Sequence, residues 1–393
     1  DALATADLLH VLLERAAGLG VLGLDDLLAL PTIAGHPQLA KLRLTDHLPR
    51  RPGVYLFRDT SGRTLYVGKA TNLRGRVRSY FSGEQRRKVA QLLRETGRID
   101  HVVCASPLEA AVLEVRLIHR FEPRFNRQSK SWRSYAYLKL TAERFPRLSV
   151  VRTVRPDGAY YIGPLASTRV AKRVAEAIET AAPLRRCTLR PGSVARSGLC
   201  APAQLGVATC PCAGQVDAAG YAAIVSTVQR GLTSEPSLLL GPLERKMRDL
   251  AGSHRFEEAA EMRERASALA TALRRHRRLD ALQAAGRLLV ELPSSGAELR
   301  QGRLVRSWAV DVRGKPAEVA LPLDLDPAAP DRMDARPADA ASPMSALPRA
   351  LADELSCVAA WLDKEAAVLR LVHSDGGLMS LYPRLPSFEP IRS

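Results

Sequence analysis

The sequence predicts an α/β protein. A small mixed sheet flanked by helices comes first, then a cysteine-rich region, a helical hairpin and a small α+β C-terminal part. Three observations carry this. Short strand-like runs (PGVYLFRD, TLYVGKATN, SYAYLKL) stand between stretches with helical periodicity. Four of the six cysteines fall between residues 187 and 212. Two amphipathic stretches at 243–275 are broken at Gly252-Ser253, as in a pair of antiparallel helices.

The elements follow in order. Residues 2–16 (ALATADLLHVLLERA) form an amphipathic helix whose Leu3, Leu8, Leu12 and Leu13 need a partner surface. Residues 28–42 read as a linker with short helices; a helix-hairpin-helix turn there lacks the paired glycines that let backbone amides approach phosphate. Gly53-Val54-Tyr55 and Tyr66-Val67-Gly68 then face each other across a β-hairpin. Its turn is Asp59-Thr60-Ser61-Gly62, where Asp bonds its own backbone and Gly tolerates positive φ. Thr71 or Asn72 caps a helix carrying Arg74, Arg76, Arg78 and Tyr80. A basic helix is predicted over 84–97, a strand over 99–105, a helix from Pro107 to Phe121 that starts on its proline, and a strand from Tyr135 to Leu140. A strand and turn, then a helix near 170–180, lead into the cysteines. Helices follow at 216–232 and 243–275, short strands from Arg287, a Pro/Asp/Ala-rich loop at 322–348, and a last helix and strand. The predicted domains are 1–47, 48–148, 149–215, 216–280 and 287–393.

Composition narrows the function. The 393 residues suffice for two to four domains, and Lys+Arg 58 against Asp+Glu 41 leaves a net charge of +17. That excess favours a polyanion as partner. No apolar run is long enough to span a bilayer and no signal peptide is evident, which excludes a membrane role and implies a cytoplasmic protein. The chain begins at Asp1 without Met, as a fragment or processed product would. Clustered cysteines in such a setting suggest metal ligation before disulfides.

The hairpin gathers phenols, a lysine and arginines around one point, which suits a phosphodiester rather than a sugar or an acyl group. A phosphodiester needs an activated water, neutralised phosphoryl charge and a protonated leaving oxygen. With Glu114 in LEAAVLEVRLIHR, Asn126 in FEPRFN and the strand in SYAYLKLTAERFPRL, the segment from Leu48 to about Leu148 resembles the UvrC/Cho-type GIY-YIG endonucleases of bacterial excision repair.

The resemblance implies roles. Glu114 would hold Mg²⁺ or Mn²⁺, a cation that keeps most of its waters and gains ligands from substrate phosphate. Tyr66 would be the general base, with Lys69 favouring its phenolate or activating water itself. Tyr55 and Tyr80 would hold the water and a phosphate oxygen, Arg76 would clamp the scissile phosphate, and Asn126 would fix a loop or backbone. Arg74, Arg78, Arg86, Arg87 and Lys88 would line the DNA. Cys187, Cys200, Cys210 and Cys212 follow the family's four-cysteine segment, which implies a [4Fe–4S] cluster or Zn²⁺, although only Pro211 separates the last two where the family has three residues. LERKMRDLAGSHRFEEAAEMRERASAL resembles the UVR motif, implying a UvrB-like partner at 243–275. No aspartate-rich catalytic motif of the family's second nuclease domain occurs beyond residue 287, so a one-sided, 3′ incision is implied. The first helix also resembles the last helix of a DEDD-type exonuclease, with Asp1 at its final catalytic position. A branched-DNA nuclease outside excision repair and a non-catalytic DNA-binding adaptor are the competing readings.

Overall fold

The structure is a computed structural model of the full chain. It describes all residues except 19, 34–35, 83–86, 127–131, 189–197, 311–315, 318–346, 378–384, 387 and 389–393. The sequence-predicted loop at 322–348 lies almost wholly outside the described residues. The chain divides into two compact units, one of residues 1–130, 287–330 and 356–374, the other of 131–286, 331–355 and 375–393.

The first unit opens with helices α1 (Ala2–Gly18) and α2 (Leu24–Ile33). Strands β1 (Gly53–Arg58) and β2 (Thr64–Ala70), helix α3 (Leu73–Arg78), helix α4 (Arg87–Glu95), strand β3 (Arg98–Val103) and helix α5 (Pro107–Phe121) follow. The sheet order is β2-β1-β3, and both ladders are antiparallel, so the expected mixed sheet is antiparallel throughout. A tight hairpin joins β1 to β2, and such a turn can connect only antiparallel neighbours. Asp59 Oδ1 accepts from the Ser61 and Arg63 amides, and Gly62 sits at φ +86°. As the central strand, β1 is buried on both faces and its alternation feeds two clusters. Val54 and Leu56 pack with Val67, Leu113 and Leu117, whereas Tyr55 and Phe57 pack with Leu65, Leu73, Val77 and Tyr80. Helix α5 starts as predicted, with Ser106 accepting from the Glu109 amide and Pro in the first turn.

The same unit carries a second antiparallel sheet of order β10-β9-β8-β7-β11, built from β7 (Arg287–Leu292), β8 (Ser295–Arg300), β9 (Arg303–Val310), β10 (Pro316–Ala317) and β11 (Arg370–Ser374). It meets α5 through a Ser106–Ser307 hydroxyl hydrogen bond of 2.8 Å and an Arg116 Nη2 bond of 2.8 Å to the Leu304 carbonyl. The leucines of α1 are exposed, from Leu13 at 40% to Leu3 at 82%, and only Ala16 of that helix is buried.

The second unit holds β4 (Ala136–Leu140), β5 (Leu148–Val151) and β6 (Tyr160–Leu165) in the order β5-β4-β6, followed by helices α6 (Thr168–Ala181), α7 (Ala201–Gln204), α8 (Ala218–Leu232), α9 (Ser237–Gly252) and α10 (Phe256–Ala284). The strand in SYAYLKL is β4, and it lies in this sheet rather than the first, paired antiparallel with β5 on one edge and β6 on the other, with four of its five residues buried. Leu138 and Ile162 pack with Val174, Tyr221, Leu243 and Leu269 in one core. Helix α11 (Arg349–Glu365) is divided between the units after residue 355.

The helical hairpin breaks where the sequence predicted, but α10 runs past the predicted end at 275 to Ala284. Leu243 and Leu269 belong to the unit's core, and Leu250, Ala259 and Met262 pack against one another nearer the tip. Phe256, at the start of α10, is left in solvent at 64% exposure, with the His254 ring edge-on to it at 5.7 Å between centroids.

Candidate active site

Two glycines make the phenol cluster possible. A Cβ on Gly68 would sit 2.5 Å from Tyr55 Cζ and Oη and 2.9 Å from Tyr66 Cε1. A Cβ on Gly53 would meet the Val102 carbonyl oxygen at 2.1 Å. The first glycine therefore lets the Tyr55 ring lie against the β2 backbone, and the second lets β3 approach β1.

Into that space the hairpin and the turn after α3 bring three phenols. The Tyr55 and Tyr80 hydroxyls are 2.8 Å apart. Ring centroids lie 6.0 Å apart for Tyr55–Tyr80 and 6.2 Å for both Tyr55–Tyr66 and Tyr66–Tyr80. Tyr66 and Arg76 interact electrostatically with the other hydroxyls, so the three phenols and the guanidinium form one cluster. The Arg76 guanidinium stands 5.2 Å from the Tyr80 ring centroid. Asn72 places Arg76 by capping α3, its Oδ1 accepting from the Gly75 amide at 3.0 Å.

Burial pushes all three phenols well above their ordinary value, and their mutual proximity adds to it, with the Glu114 charge contributing at Tyr66. The nearby Arg76 lowers each of them but does not win. The phenols are thus neutral, and the expected Tyr66 phenolate is disfavoured here. Lys69, expected to favour it, instead places Nζ 3.1 Å from Glu114 Oε2. Glu114 pairs with this lysine across from β2, with its side chain 20% exposed, as a carboxylate open to solvent at one edge must be to exchange partners.

Asn126 lies against the backbone of β2. Its Oδ1 accepts from the Val67 amide at 2.9 Å and its Nδ2 donates to the Val67 carbonyl at 2.8 Å. Because β2 is an edge strand, its outward amide and carbonyl lack a strand partner. The carboxamide supplies both bonds and fixes the residue between Tyr66 and Gly68.

The residues expected to line DNA separate into three groups. Arg87 and Lys88 are exposed on α4, as that role requires. Arg86 lies outside the described residues. Arg74 and Arg78 are a correction: their side chains are 2% and 4% exposed and ion-paired with Asp26 of α2, which leaves them no path to a phosphate. The sequence reading missed Asp26. Its only signal was a carboxylate pair, Asp25-Asp26, in the first turn of a short helix.

The cysteines fall into two interacting pairs, Cys212 with Cys187 and Cys200 with Cys210. Burial raises the Cys212 thiol, as does the Cys187 charge. At Cys210 the hydrogen bonds from Cys200 and the backbone outweigh burial and lower it. Among the described residues no group of three or more His, Cys, Asp or Glu is arranged to hold a metal ion. Nor is any helix among them long and apolar enough to cross a membrane.

The hairpin glycines, the phenol cluster, Arg76 and the partly exposed Glu114 of α5 define a GIY-YIG nuclease-type domain. Residues 51–127 match the family described as the UvrC-like GIY-YIG domain, and residues 135–230 match the UvrC/Cho excinuclease middle domain. The chain belongs to the UvrC/Cho-type GIY-YIG family. A putative bifunctional exonuclease/endonuclease protein of Mycobacterium tuberculosis is 36% identical over 387 residues, 97% of this chain and 58% of that protein. The UvrABC system protein C of Desulforudis audaxviator is 35% identical over 330 residues, 80% of this chain and 52% of its own length. The chain thus spans about half the length of these relatives. Among solved structures, the GIY-YIG N-terminal endonuclease domain of UvrC from Thermotoga maritima, bound to magnesium, is 36% identical, with 22% of this chain and 96% of that one covered at a TM-score of 0.21.

Proposed function

We propose that this chain is a metal-dependent DNA endonuclease that makes a single-strand, 3′-side incision in nucleotide-excision-type repair, in the cytoplasm. The observation that carries the proposal is the convergence of Tyr55, Tyr66, Tyr80 and Arg76, with the Lys69–Glu114 pair coupled electrostatically to Tyr66.

A lone, partly exposed carboxylate fits Mg²⁺ or Mn²⁺, which binds proteins through one or two carboxylates and keeps its waters. Glu114 would hold it, and the cation would supply charge neutralisation at the phosphoryl group. Lys69, on a flexible stem and 49% exposed, would leave the carboxylate to such a cation and could meet a phosphate oxygen instead. Arg76 neutralises a second oxygen with its fork of donors. Neutral phenols suit positioning better than proton abstraction: Tyr66, Tyr55 and Tyr80 would orient the attacking water and a phosphate oxygen through their hydroxyls, without ionising. Asn126 holds the Val67 backbone and thereby the adjacent Tyr66.

Four thiols are a donor set suited to a [4Fe–4S] cluster, with Zn²⁺ as the alternative, and Cys187, Cys200, Cys210 and Cys212 would hold it as a structural brace. The pairing of Cys187 with Cys212 and of Cys200 with Cys210 supports this reading. A UvrB-like partner at 243–275 would meet the hairpin tip at Phe256, because the rest of the apolar stripe is already packed.

The test is nicking of a defined lesion duplex with Mg²⁺, with and without a UvrB-like loader. Glu114→Ala should abolish it. Nicking that survives this substitution refutes the assigned centre, and nicking of branched DNA alone favours a role outside excision repair. Iron, sulfide and zinc content of anaerobically purified protein decides the cysteines.

A further inference from the structure

Resting on that nuclease reading, we infer that Asp26, which lies outside the matched domain, is a positioning residue that holds α3 from behind so that Arg76 faces the phenols. Helix α3 has six residues, too few to be stable alone, so its orientation is set by what it packs against. Arg74 and Arg78 are four apart and share one face; Arg76 is turned roughly 200° from Arg74, onto the opposite face. The back face is tied down and the front face carries the site.

The tie is made of named contacts. Asp26 Oδ2 lies 3.3 Å from Arg74 Nε and Oδ1 lies 3.4 Å from Arg78 Nε. Oδ2 also accepts from the Leu22 amide at 3.0 Å and meets Arg50 Nη2 at 3.3 Å. Arg74 further donates to the carbonyls of Thr45, Asp46 and Gly20, and Arg78 shares the Gly20 carbonyl at 3.1 Å. Gly20 has φ +76°, and a Cβ there would fall 2.4 Å from Asp46 Oδ1, so the loop that offers this carbonyl admits no larger residue. Asp46 stands farther from the two guanidiniums, at 4.0 and 3.9 Å, and its side chain is 47% exposed. Asp26 is thus the buried counter-charge for two buried cations. Burial would raise its carboxyl, but the Leu22 amide and the two guanidiniums outweigh this and hold it below the ordinary carboxylate value.

Without that charge α3 must turn at least one arginine toward solvent, and a rotation that does so carries Arg76 off the phenols. A displacement on the order of 1 Å at a catalytic group costs about 100-fold in rate. The experiment is a double-mutant cycle on nicking by the full chain, joined to amide exchange of α3. Asp26→Asn should lower kcat about 100-fold with little change in KM, Asp26→Glu should recover part of that, and in an Arg76→Ala background Asp26→Asn should cause no further loss. In Asp26→Asn the amides of 73–78 should exchange faster while those of β1 do not. Equal losses in both backgrounds, or protection lost throughout the unit, mean a purely structural role and overturn the inference. Unchanged exchange in α3 overturns it as well. If the unmodified chain does not nick, the nuclease reading falls, and the exchange arm still decides whether Asp26 holds α3.

Discussion

Asn126→Ala removes the carboxamide that satisfies both backbone groups of Val67, at a position that is 5% exposed. The substitution leaves one buried N–H and one buried C=O without partners. Each orphaned group costs about 1–3 kcal/mol, so the pair costs about 2–6 kcal/mol, with the low end applying where water enters the space. Even about 2 kcal/mol corresponds to a roughly 30-fold larger opening constant for the β1–β2 hairpin. Native-state amide exchange at β1 and β2 reads that directly, and it avoids assuming a two-state transition for a chain of two units. Asn126→Asp adds a sign to the test. It keeps an acceptor for the Val67 amide but sets a carboxylate against the Val67 carbonyl, and protonation restores a donor. Its penalty should shrink as the pH is lowered toward 4, the ordinary carboxylate range, whereas that of Asn126→Ala should not. Protection altered less than about 3-fold in Asn126→Ala, or no difference between the two variants in acid, refutes the reasoning.

Four further outcomes are expected. Gly68→Ala should destabilise the hairpin by about 1–3 kcal/mol and lower nicking about 100-fold, because its Cβ would displace the Tyr55 and Tyr66 rings; urea midpoints and initial rates check this. The phenols of Tyr55, Tyr66 and Tyr80 ionise later in the folded than in the unfolded chain. The stability they confer is therefore present below the ordinary value of 10.0 and lost as pH rises above it, which alkaline titration of tyrosinate absorbance with circular dichroism should follow. Glu114→Gln should abolish nicking yet alter stability by no more than about 1 kcal/mol, since the Lys69–Glu114 pair is partly exposed; a thermal melt beside the activity assay separates the two. Replacing both Arg87 and Lys88 with Ala should flatten the salt dependence of DNA binding by about two counterions, whereas Arg74→Ala should lower stability instead.

Local chemistry made the hairpin legible in the sequence. Asp59 and Gly62 define the turn, and the glycines and tyrosines on either side have few other places to go. Helix α5 was legible for the same reason, through Pro107 at its start. What failed was whatever depended on a partner distant in the chain. Arg74, Arg76 and Arg78 look alike as a basic run, but the first and third meet a carboxylate 48 or more residues earlier and disappear from the surface. Lys69 reads as a cation beside a tyrosine until α5 folds over β2 and presents Glu114. The alternation of β4 marked it as a strand without saying which sheet would own it. Its ladders run to β5 and β6, both later in the chain, and nothing in the alternation of five residues names them.

The hydroxyl bond between Ser106 and Ser307 closes a span of 201 residues. A ribosome adding about 5–20 residues per second needs roughly 10–40 seconds to make that interval. For all of that time the nascent helix bearing Glu114 stands with its far side bare, and the sheet that will cover it does not yet exist. Birth of this enzyme-like half is therefore a matter of waiting: its beginning must stay soluble until its end has been translated.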